Sequence, residues 1–393
     1  MQLLSTAIFA ALALSGAIYL LQAWCVWYQT RRKPKPAAAQ PPVSILKPLC
    51  GRVEGLAENL ESFARLRYPE YEIIFGLKSA GDEALAVARA FQTRHPELAV
   101  KIVIDERQFG FNPKVNNLVP MMVHARHDLL LISDDNVRVP PDYLRDTVAE
   151  MGADTGLVYN LICGVGGKRL GALLENLHLN SFIVGSVCFL HTLLRHPCVI
   201  GKSMLLRRST LQEIGGLQYV RNALAEDYLL GRYYQRRGYR VALCRTPVYN
   251  VNLSWPVRSF WRRHVRWARM RFWIGTYRYA AEWLGNPVAL ALFAVLLQPG
   301  PHTLGVWFAV TFFKMLIDGL LARRLSSRVN LLPFLLTPLK DVLTALIWFA
   351  PLTGRTIRWR EQKLVLSWGS RLRPHRKSTP AALLPHSSLP VLG

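Results

Sequence analysis

The chain has 393 residues, of which 51% are hydrophobic, and its 49 lysine and arginine residues outnumber its 25 acidic residues to give a net charge of +24. This length and apolar content exclude a disordered chain and a small disulfide-stapled fold. Such a composition indicates a membrane component, and the positive charge suits nucleic acid, anionic lipid or a phosphorylated substrate. The six cysteines lack C-x-x-C spacing, which favours reduced thiols over a metal cluster or a disulfide framework.

The N-terminal segment from Leu3 to Tyr28 carries no charged residue and is followed by several basic residues up to Lys35. About 20 apolar residues cross a bilayer, so residues 1–30 are predicted to form a transmembrane anchor. The alternative is a cleaved signal peptide, but the segment lacks a basic start and ends in aromatic residues typical of the membrane interface. The positive-inside rule then predicts that the chain after the anchor lies in the cytoplasm.

A linker rich in proline and alanine, residues 31–42, precedes segments whose hydrophobic period alternates between that of strands and that of helices. This alternation predicts an α/β catalytic domain over 43–254 with a mainly parallel, doubly wound sheet, in which ligands bind at the carboxyl ends of the strands. The predicted strands are 43–46, 71–77, 100–104 and 129–133, and the predicted helices are 56–66, 83–93, 114–125 and 143–151.

The composition changes near residue 255. Residues 255–280 interleave arginines with an apolar stripe at helical spacing, which predicts an amphipathic helix lying in the membrane interface. The stripe consists of Trp261, Val265, Ala268 and Phe272.

Residues 281–353 contain three apolar stretches, at 287–300, 303–322 and 331–353, and a basic tail covers 354–393. Three full crossings would leave the basic tail outside, against the charge rule. We therefore predict that the first stretch crosses the membrane and that the second crosses it in the opposite direction, back to the side of the catalytic domain. The third, interrupted by prolines, is predicted to be re-entrant or interfacial.

The apolar strand at 129–133 ends directly in two carboxylates, Asp134 and Asp135. Hard divalent cations such as Mg²⁺ and Mn²⁺ bind carboxylate oxygens together with substrate phosphates, so acids at a strand end suit a metal-bridged nucleotide diphosphate. The alternative is a solvated aspartate turn that leads into the next helix.

Two further elements carry candidate chemistry. Asp227 is placed to act as a general base towards an acceptor hydroxyl, although an acid in the first turn of a helix fits the pattern equally well. Arg263, Arg266 and Trp267 share one edge of a predicted helix, and guanidinium groups suit a diphosphate leaving group. Binding of lipid headgroups is the alternative for these arginines.

Other motifs are weaker. Gly201-Lys202-Ser203 looks like the end of a phosphate-binding P-loop, but His196 occupies the position of its first glycine. Lys314 and Asp318, one helical turn apart in an apolar stretch, suit either a substrate or ion path or a structural pair. The ten histidines give no Ser/His/Asp signature.

Taken in order between about 40 and 275, these motifs resemble the ceramide glucosyltransferase family, glycosyltransferase family 21, in its bacterial type. The resemblance implies a GT-A nucleotide-diphospho-sugar transferase fold with an N-terminal transmembrane helix and C-terminal membrane helices, in a bacterial inner membrane. The matching motifs are Lys47-Pro48-Leu49-Cys50-Gly51, Asn112-Pro113-Lys114-Val115-Asn116, Ser133-Asp134-Asp135-Asn136, Gly201-Lys202-Ser203, Ala225-Glu226-Asp227-Tyr228 and Arg263-x-x-Arg266-Trp267.

The resemblance also implies roles for individual residues. Asp227 would be the catalytic base, and Arg263, Arg266 and Trp267 would be the catalytic element that closes over the diphosphate and the acceptor. Asp134 and Asp135 would hold Mg²⁺ or Mn²⁺. The residues implied to bind the nucleotide sugar are Lys47, Asp82, Lys114, Asn116, Asp134 and Asp135.

The implied reaction is an inverting transfer of a hexose, glucose from UDP-glucose, to the primary hydroxyl of a membrane lipid such as ceramide. Transfer of N-acetylglucosamine or another sugar to a hopanoid or glycerolipid stays open. A processive polysaccharide synthase is disfavoured because Arg263 replaces the glutamine of its Q-x-x-R-W element. A non-catalytic membrane protein that binds acidic lipid would leave the strand-end acids unexplained. No nucleic acid partner is expected, because the basic residues cluster beside predicted spans.

Overall fold

A computed structural model describes residues 2–35, 39–359 and 362–375. Part of the predicted linker, at 36–38, and the predicted basic tail from 376 onward lie outside the described residues. The chain forms two compact units. The first, here called the sheet unit, consists of Lys33–Ile162, Pro197–Val251 and Thr356–Gly393. The second, here called the helical unit, consists of Met1–Arg32, Cys163–His196 and Asn252–Arg355.

The strands and helices are numbered in chain order. The strands are β1 (Val43–Pro48), β2 (Tyr71–Leu77), β3 (Ala99–Ile104), β4 (Leu129–Ser133), β5 (Val137–Arg138), β6 (Thr155–Val165), β7 (Ser203–Arg207), β8 (Arg240–Val251), β9 (Thr356–Trp359), β10 (Gln362–Ser367) and β11 (Arg371–Pro374). The α-helices are α1 (Gln2–Arg31), α2 (Leu56–Ala64), α3 (Ala84–Arg94), α4 (Pro113–His124), α5 (Tyr143–Val148), α6 (Leu170–His178), α7 (Val184–Thr192), α8 (Arg208–Glu213), α9 (Glu226–Arg236), α10 (Val257–Ile274), α11 (Thr276–Ala281), α12 (Pro287–Leu297), α13 (Pro301–Leu325) and α14 (Thr337–Trp348). A π-helical segment, Leu179–Ile183, joins α6 to α7, and short 3₁₀ segments lie at Gly216–Val220, Glu282–Gly285, Leu332–Leu336, Ala350–Thr353 and Trp368–Ser370.

An eight-stranded sheet in the order β3-β2-β1-β4-β7-β6-β8-β5 forms the sheet unit. The first four strands in this order run parallel. They are the four predicted strands, and the predicted helices α2 to α5 are also confirmed to within a few residues. The sheet is mixed rather than mainly parallel, because β7 runs antiparallel to both β4 and β6, and β5 runs antiparallel to β8. The parallel pairs β1–β2, β1–β4 and β2–β3 involve only the chain up to β4, although helices also separate β6, β7 and β8 along the chain.

The position of β4 in the middle of the sheet follows from its sequence. All five residues of Leu129–Ser133 are buried, and β4 is hydrogen-bonded to β1 on one side and β7 on the other. A continuous apolar run is typical of a strand covered on both faces. The helix α4 begins nearby, where the Asn112 side chain accepts hydrogen bonds from the backbone N–H groups of Lys114 and Val115 and Pro113 occupies the first turn. This cap fixes the start of α4.

The predicted basic tail is folded where it is described. Thr356–Pro374 forms a three-stranded antiparallel sheet in the order β11-β10-β9. Apolar residues alternate with exposed basic ones along these strands, as in a sheet with one covered face. Counting the charges of this segment overlooked their period of two, so the small sheet within the predicted basic tail was not predicted. The buried residues are Ile357, Leu364, Leu366 and Leu372.

The helical unit contains the candidate membrane spans. Within the described ranges, three helical segments are long and apolar enough to cross a membrane, namely Ser5–Arg31, Leu170–Thr192 and Pro301–Leu325. The first and third match the predicted anchor and the stretch 303–322. The second lies inside the range predicted for the catalytic domain, and the structure groups it with the helices.

The predicted span at 287–300 is a short helix in the structure, and a sharp bend separates it from the helical segment before it. Its helix, α12, has 11 residues, and the bend between Thr276–Gly285 and Pro287–Leu297 is 79°. A helix of this length covers about 16 Å, which is less than the thickness of the bilayer core. The helix α14, in the stretch predicted to be re-entrant, has 12 residues.

The predicted amphipathic helix exists as α10, but its buried face differs from the predicted stripe. Phe260, His264 and Ala268 are buried, whereas Trp261 is 39% exposed. Val265 and Phe272 pack against the core cluster that contains Phe260 and Ala268. The most covered side of α10 therefore packs within the helical unit, because α6, α11 and α14 supply apolar partners there. The other members of this cluster are Leu174, Tyr279, Ile347 and Ala350.

Candidate active site

Two lysines flank the carboxylate that follows β4. The Oδ1 atom of Asp134 lies 2.7 Å from Nζ of Lys114, and its Oδ2 atom lies 2.9 Å from Nζ of Lys202. The first turn of α4 supplies Lys114, and the turn before β7 supplies Lys202. Because β7 pairs antiparallel with β4, with Ser203 opposite Ser133, the start of β7 lies beside the end of β4. The topology therefore gathers opposite charges at this strand end.

Lys47 supports the same turn from within the sheet. Its Nζ atom donates to the Asp134 backbone oxygen at 2.8 Å and to Ser133 Oγ at 3.3 Å, and it lies 3.9 Å from the centre of the Phe63 ring. The side chain is fully buried. Burial lowers the pKa of Lys47 to about 7, against the attraction of Asp135 and Asp134. Lys47 thus fixes the backbone position of Asp134.

Asp227 lies in the first turn of α9 and is tied to the turn before β7. Its Oδ2 atom accepts a hydrogen bond from the Gly201 N–H at 2.6 Å, and its Oδ1 atom accepts one from the Tyr228 N–H at 2.7 Å. The Gly201 carbonyl accepts from Lys114 Nζ at 2.8 Å. A Cβ atom at Gly201 would lie 2.8 Å from Lys114 Nζ and 3.0 Å from Asp227 Oδ2, so a side chain at this position would displace the Lys114 ammonium group.

The carboxylates of this site differ in their tendency to ionise. Burial alone would raise the pKa of Asp134, but the positive charges of Lys114 and Lys202 have the larger effect and hold this pKa well below its usual value. Burial raises the pKa of Asp227, with Asp134 adding to the effect and Lys114 opposing it. Burial and the neighbouring Asp227 raise the pKa of Glu226 to about 7. Groups whose environments separate their pKa values in this way are candidates for acid–base chemistry.

Two predicted nucleotide-binding residues, Asp82 and Asn116, form hydrogen bonds to the backbone of neighbouring loops. Asp82 Oδ1 accepts hydrogen bonds from the N–H groups of Gly51 and Ala84, at 2.8 and 2.9 Å. The Asn116 side chain accepts from the N–H groups of Phe109 and Gly110 and donates to the Gly110 carbonyl. Both side chains shape loops near the strand ends. Their contact with the nucleotide stays a prediction.

Asp135 stands next to the central cluster. Its backbone oxygen accepts from Asn59 Nδ2 at 3.3 Å, and its carboxylate acts on the pKa of Lys47. The structure thus brings Lys47, Lys114, Asp134 and Asp227 together, with Asp135 beside them.

Three residues at the site were not among the predicted site residues. Gly201 and Lys202 belong to a motif that was rejected as a P-loop and matched to the family without a role for either residue, and Glu226 directly precedes Asp227. Glu226 Oε2 accepts from Asn112 Nδ2 at 3.0 Å, and its Oε1 lies 3.6 Å from Lys114 Nζ. These contacts join residues far apart in the chain, so spacing alone does not reveal them.

The small sheet β9–β11 supports the loop that precedes Asp227. Ser370 accepts a hydrogen bond from the Leu224 N–H at its carbonyl and one from the Ala225 N–H at its Oγ, both at 2.9 Å. The Leu372 N–H donates to the Asn222 carbonyl at 2.7 Å. The chain after residue 355 therefore fixes the backbone that leads into Asp227.

Arg263, Arg266 and Trp267 lie on α10 of the helical unit. The Arg263 guanidinium lies 4.4 Å from the centre of the Trp267 ring and 5.3 Å from that of Trp255. Its Nε atom is 3.2 Å from Oε1 of the buried Glu175, whose Oε2 is 2.7 Å from His264 Nε2. Glu175 was not predicted, and it orients Arg263 against Trp267. That Arg263, Arg266 and Trp267 close over the diphosphate and the acceptor stays a prediction.

A family model described as "Glycosyl transferase family 21" matches residues 7–372. The chain belongs to this family. It is therefore a glycosyltransferase, as the motifs predicted. It is 30% identical to ceramide glucosyltransferase 1 of Caenorhabditis elegans, in a match that covers 94% of this chain and 83% of the relative. It is 28% identical to ceramide glucosyltransferase 3 of the same organism, covering 88% of this chain and 77% of the relative.

Among solved structures, the mannosyltransferase PcManGT of Pyrobaculum calidifontis, in complex with GDP-Man and Mn²⁺, is similar at a TM-score of 0.51 and 14% identity. The match covers 89% of this chain and 99% of that structure. The predicted GT-A fold is thereby confirmed for this member of family 21.

Proposed function

We propose that this glycosyltransferase transfers glucose from UDP-glucose to the primary hydroxyl of a membrane lipid such as ceramide, with inversion at the anomeric carbon. The two relatives named ceramide glucosyltransferases, matched over most of the chain, support the sugar and the acceptor. One observation in the structure carries the proposal. An ionised carboxylate held by lysines, Asp134, lies within one network with Asp227, a carboxylate of raised pKa.

The donor side of the reaction requires positive charge at the diphosphate. Lys114, whose pKa is raised because three carboxylates outweigh its burial, is an ammonium group at any working pH. We propose that Lys114 contacts the diphosphate and stabilises the charge that develops on the departing nucleotide. Lys47 positions the Asp134 turn, and Asp82 and Asn116 are proposed to shape the loops that receive the nucleotide.

A divalent cation suits the carboxylates at this strand end. Asp134 and Asp135 offer the hard oxygen ligands that Mg²⁺ and Mn²⁺ prefer, and the Asp134 side chain is 23% exposed. In the described part of the chain, no group of three or more His, Cys, Asp or Glu side chains suits a metal ion. Phosphate oxygens of the donor would therefore complete the coordination. Such an ion, when bound, would neutralise charge on the diphosphate.

Asp227 is proposed to act on the acceptor side as the general base. Burial raises its pKa above that of an ordinary aspartate, which improves proton transfer from a hydroxyl. Hydrogen bonds from Gly201 and Tyr228 fix both carboxylate oxygens. The acceptor oxygen attacks the anomeric carbon, the bond to the diphosphate breaks, and the hydroxyl proton passes to Asp227. A single displacement of this kind needs no covalent enzyme intermediate.

The helical unit supports a membrane lipid as the acceptor. Its three candidate spanning helices would hold the enzyme at the bilayer, where the hydroxyl of an amphiphile lies at headgroup depth. We propose a cytoplasmic catalytic domain and a bacterial inner membrane location. Arg263, Arg266 and Trp267 are proposed as the catalytic residues that act on the diphosphate and the acceptor.

In the experiment, membranes that contain the full-length protein are incubated with a radiolabelled donor and a lipid acceptor. The donors are UDP-glucose, UDP-galactose and UDP-N-acetylglucosamine, and each is tested with ceramide, diacylglycerol and a hopanoid. We expect one labelled lipid, from UDP-glucose and ceramide, and a β-linkage in the product. Labelling of the hopanoid from UDP-N-acetylglucosamine would establish the alternative within the same reaction class. Absence of lipid labelling with every pair would contradict the proposed reaction.

A further inference from the structure

The helix that carries the proposed base begins at a residue that cannot cap it. Ala225 occupies the N-cap position of α9, and an alanine side chain accepts no hydrogen bond from the first turn. Asp227 is the second residue of this helix. The position of its carboxylate therefore depends on the contacts that hold the backbone directly before α9.

Ser370 supplies these contacts from a distant part of the sequence. It lies 145 residues from Ala225, between β10 and β11, and it is fully buried. Its Oγ atom accepts a hydrogen bond from the Ala225 N–H at 2.9 Å, and its carbonyl accepts one from the Leu224 N–H at 2.9 Å. A single serine thus binds two successive amide groups at the start of the helix.

The backbone of Ser370 has an unusual conformation. Its φ of 62° lies in the left-handed region, which residues other than glycine rarely adopt. Such conformations persist where the surrounding structure enforces them, and they cluster at functional sites. Glycine would adopt this φ without strain, so the hydroxyl is the feature that glycine could not supply here. The strained backbone directs this hydroxyl to Ala225.

The loop before α9 is also held by the start of α4. Asn112 Nδ2 donates to the Ala223 carbonyl at 2.7 Å and to Glu226 Oε2 at 3.0 Å. Lys114, the proposed diphosphate contact, follows in the first turn of the same helix. The loop that Ser370 fixes is therefore joined to the donor side of the site, and a shift of this loop would change the geometry of the reaction.

On the basis of the proposed function, we propose that Ser370 is a positioning residue for Asp227. Its hydroxyl fixes the Ala225 N–H, and this contact places the carboxylate that takes the proton from the acceptor hydroxyl. Ser370 acts through the start of α9 and not through contact with the substrate. Loss of the hydroxyl should therefore lower kcat and leave donor binding unchanged.

The test measures glucosyl transfer to ceramide by the solubilised full-length protein. The variants are Ser370→Ala and Ser370→Gly, both of which remove the hydroxyl, and the glycine suits the left-handed backbone. We expect each variant to lower kcat by about tenfold or more, because a small misplacement of a catalytic group has an effect of this size. The KM for UDP-glucose and the affinity for UDP should match the wild type.

A second buried serine of the same unit provides the matched control. Ser44 lies near the amino end of β1, and its Oγ atom accepts from the His127 N–H at 3.1 Å and donates to Glu72 at 2.7 Å. Ser44→Ala should lower the unfolding temperature and keep the wild-type kcat. Lys363→Met, at an exposed position on β10 of the small sheet, should match the wild type in both measurements.

A double variant separates positioning from a general loss of structure. If Ser370 acts through Asp227, the Ser370→Ala change should lower kcat no further in a chain that already carries Asp227→Asn. A serine with a merely structural role would lower the residual rate by the same factor in both backgrounds.

Three outcomes would overturn the inference and leave the proposed function intact. The first is a wild-type kcat in Ser370→Gly, which also decides the matter if Ser370→Ala fails to fold. The second is an equal loss of kcat in Ser370→Ala and Ser44→Ala, and the third is an additive loss in the double variant. By contrast, absence of transfer by the wild type, or a wild-type rate in Asp227→Asn, would defeat the proposed function and this inference together.

Discussion

Both units bury charged networks, and the two networks differ in their access to solvent. In the sheet unit, the side chains of Asp134 and Lys114 are 23% and 14% exposed. In the helical unit, Lys314 and Asp318 of α13 and Lys340 and Asp341 of α14 are at most 4% exposed. The first network is open to a ligand, and the second is sealed.

The sealed network is balanced within itself. Lys314 Nζ lies 2.5 Å from Asp318 Oδ2 and 3.5 Å from Asp341 Oδ2, and Lys340 Nζ lies 2.5 Å from Asp341 Oδ1. The Tyr19 hydroxyl of α1 donates to Asp318 at 2.9 Å. The geometry therefore favours the structural pair over the substrate or ion path as the interpretation of Lys314 and Asp318. Charges that neutralise one another away from solvent hold helices together, whereas a charged network that solvent can reach is able to bind a ligand.

The largest expected effect is on catalysis at the open network. Asp227→Asn removes the proposed base, and loss of general-base catalysis lowers kcat by about 10²–10⁴-fold. The measurement is the rate of glucosyl transfer to ceramide by solubilised full-length protein. UDP binding by the variant serves as the control for folding. A rate within a few-fold of the wild type would remove Asp227 from the chemistry.

Breaking the sealed network should affect stability instead. Asp341→Asn leaves the ammonium group of Lys340 buried without its carboxylate, and removal of one partner of a buried pair costs about 3–5 kcal/mol in the free energy of unfolding. Thermal unfolding in detergent measures this loss. The matched control is Glu97→Gln, whose side chain is 64% exposed and lies 3.2 Å from His95 Nδ1, and its expected cost is below about 1 kcal/mol. Equal costs for the two variants would contradict the comparison.

A pH profile tests the coupling between Lys114 and Asp227. Asp227 accepts a proton only when ionised, so activity falls as the pH drops through its raised pKa. Lys114 opposes that rise, and therefore Lys114→Met should move the acid limb of the kcat/KM profile to higher pH by about one unit or more. Lys363→Met should keep the wild-type profile. An acid limb that stays in place in Lys114→Met would show that Lys114 does not act on the base.

The smallest expected effect concerns Asp82, which the family resemblance assigns to the nucleotide. Its described hydrogen bonds go to the N–H groups of Gly51 and Ala84. We expect Asp82→Ala to lower the free energy of unfolding by about 1 kcal/mol, as loss of a capping contact does, and to change the KM for the donor little. A rise in this KM of about tenfold would correspond to a lost ligand contact and would restore the nucleotide-binding role.

The parallel half of the fold was predictable because its pattern is local. Each strand from β1 to β4 is a short apolar run, and each is followed by a helix with an apolar face, so the period of the sequence identifies both. The strands β6 to β8 were not predicted. All but the last residue of β6 is buried, which removes the alternation that identifies a strand with one exposed face. The strands β6 and β7 pair antiparallel although α6 and α7 separate them along the chain, so the alternation of strands and helices does not indicate their direction.

The candidate site was predictable in part for the same reason. Asp134 follows the end of a strand and Asp227 lies at the start of a helix, so the local sequence around each residue is enough to place it. The contact between Asp134 and Lys202 joins the residue after β4 to the residue before β7, two strands that pair in the sheet, and Ser370 contacts Ala225 from a segment that was predicted as a tail. Such contacts depend on the register of distant strands, which spacing along the chain does not specify.

The most direct test of the account asks which of the two networks lies near the donor. Full-length protein in membranes is irradiated with radiolabelled 5-azido-UDP-glucose, and the labelled peptides are identified by mass spectrometry. The account predicts labelled peptides from the sheet unit and loss of the label when unmodified UDP is added in excess. Labelling confined to the helical unit, or labelling that UDP does not displace, would contradict it.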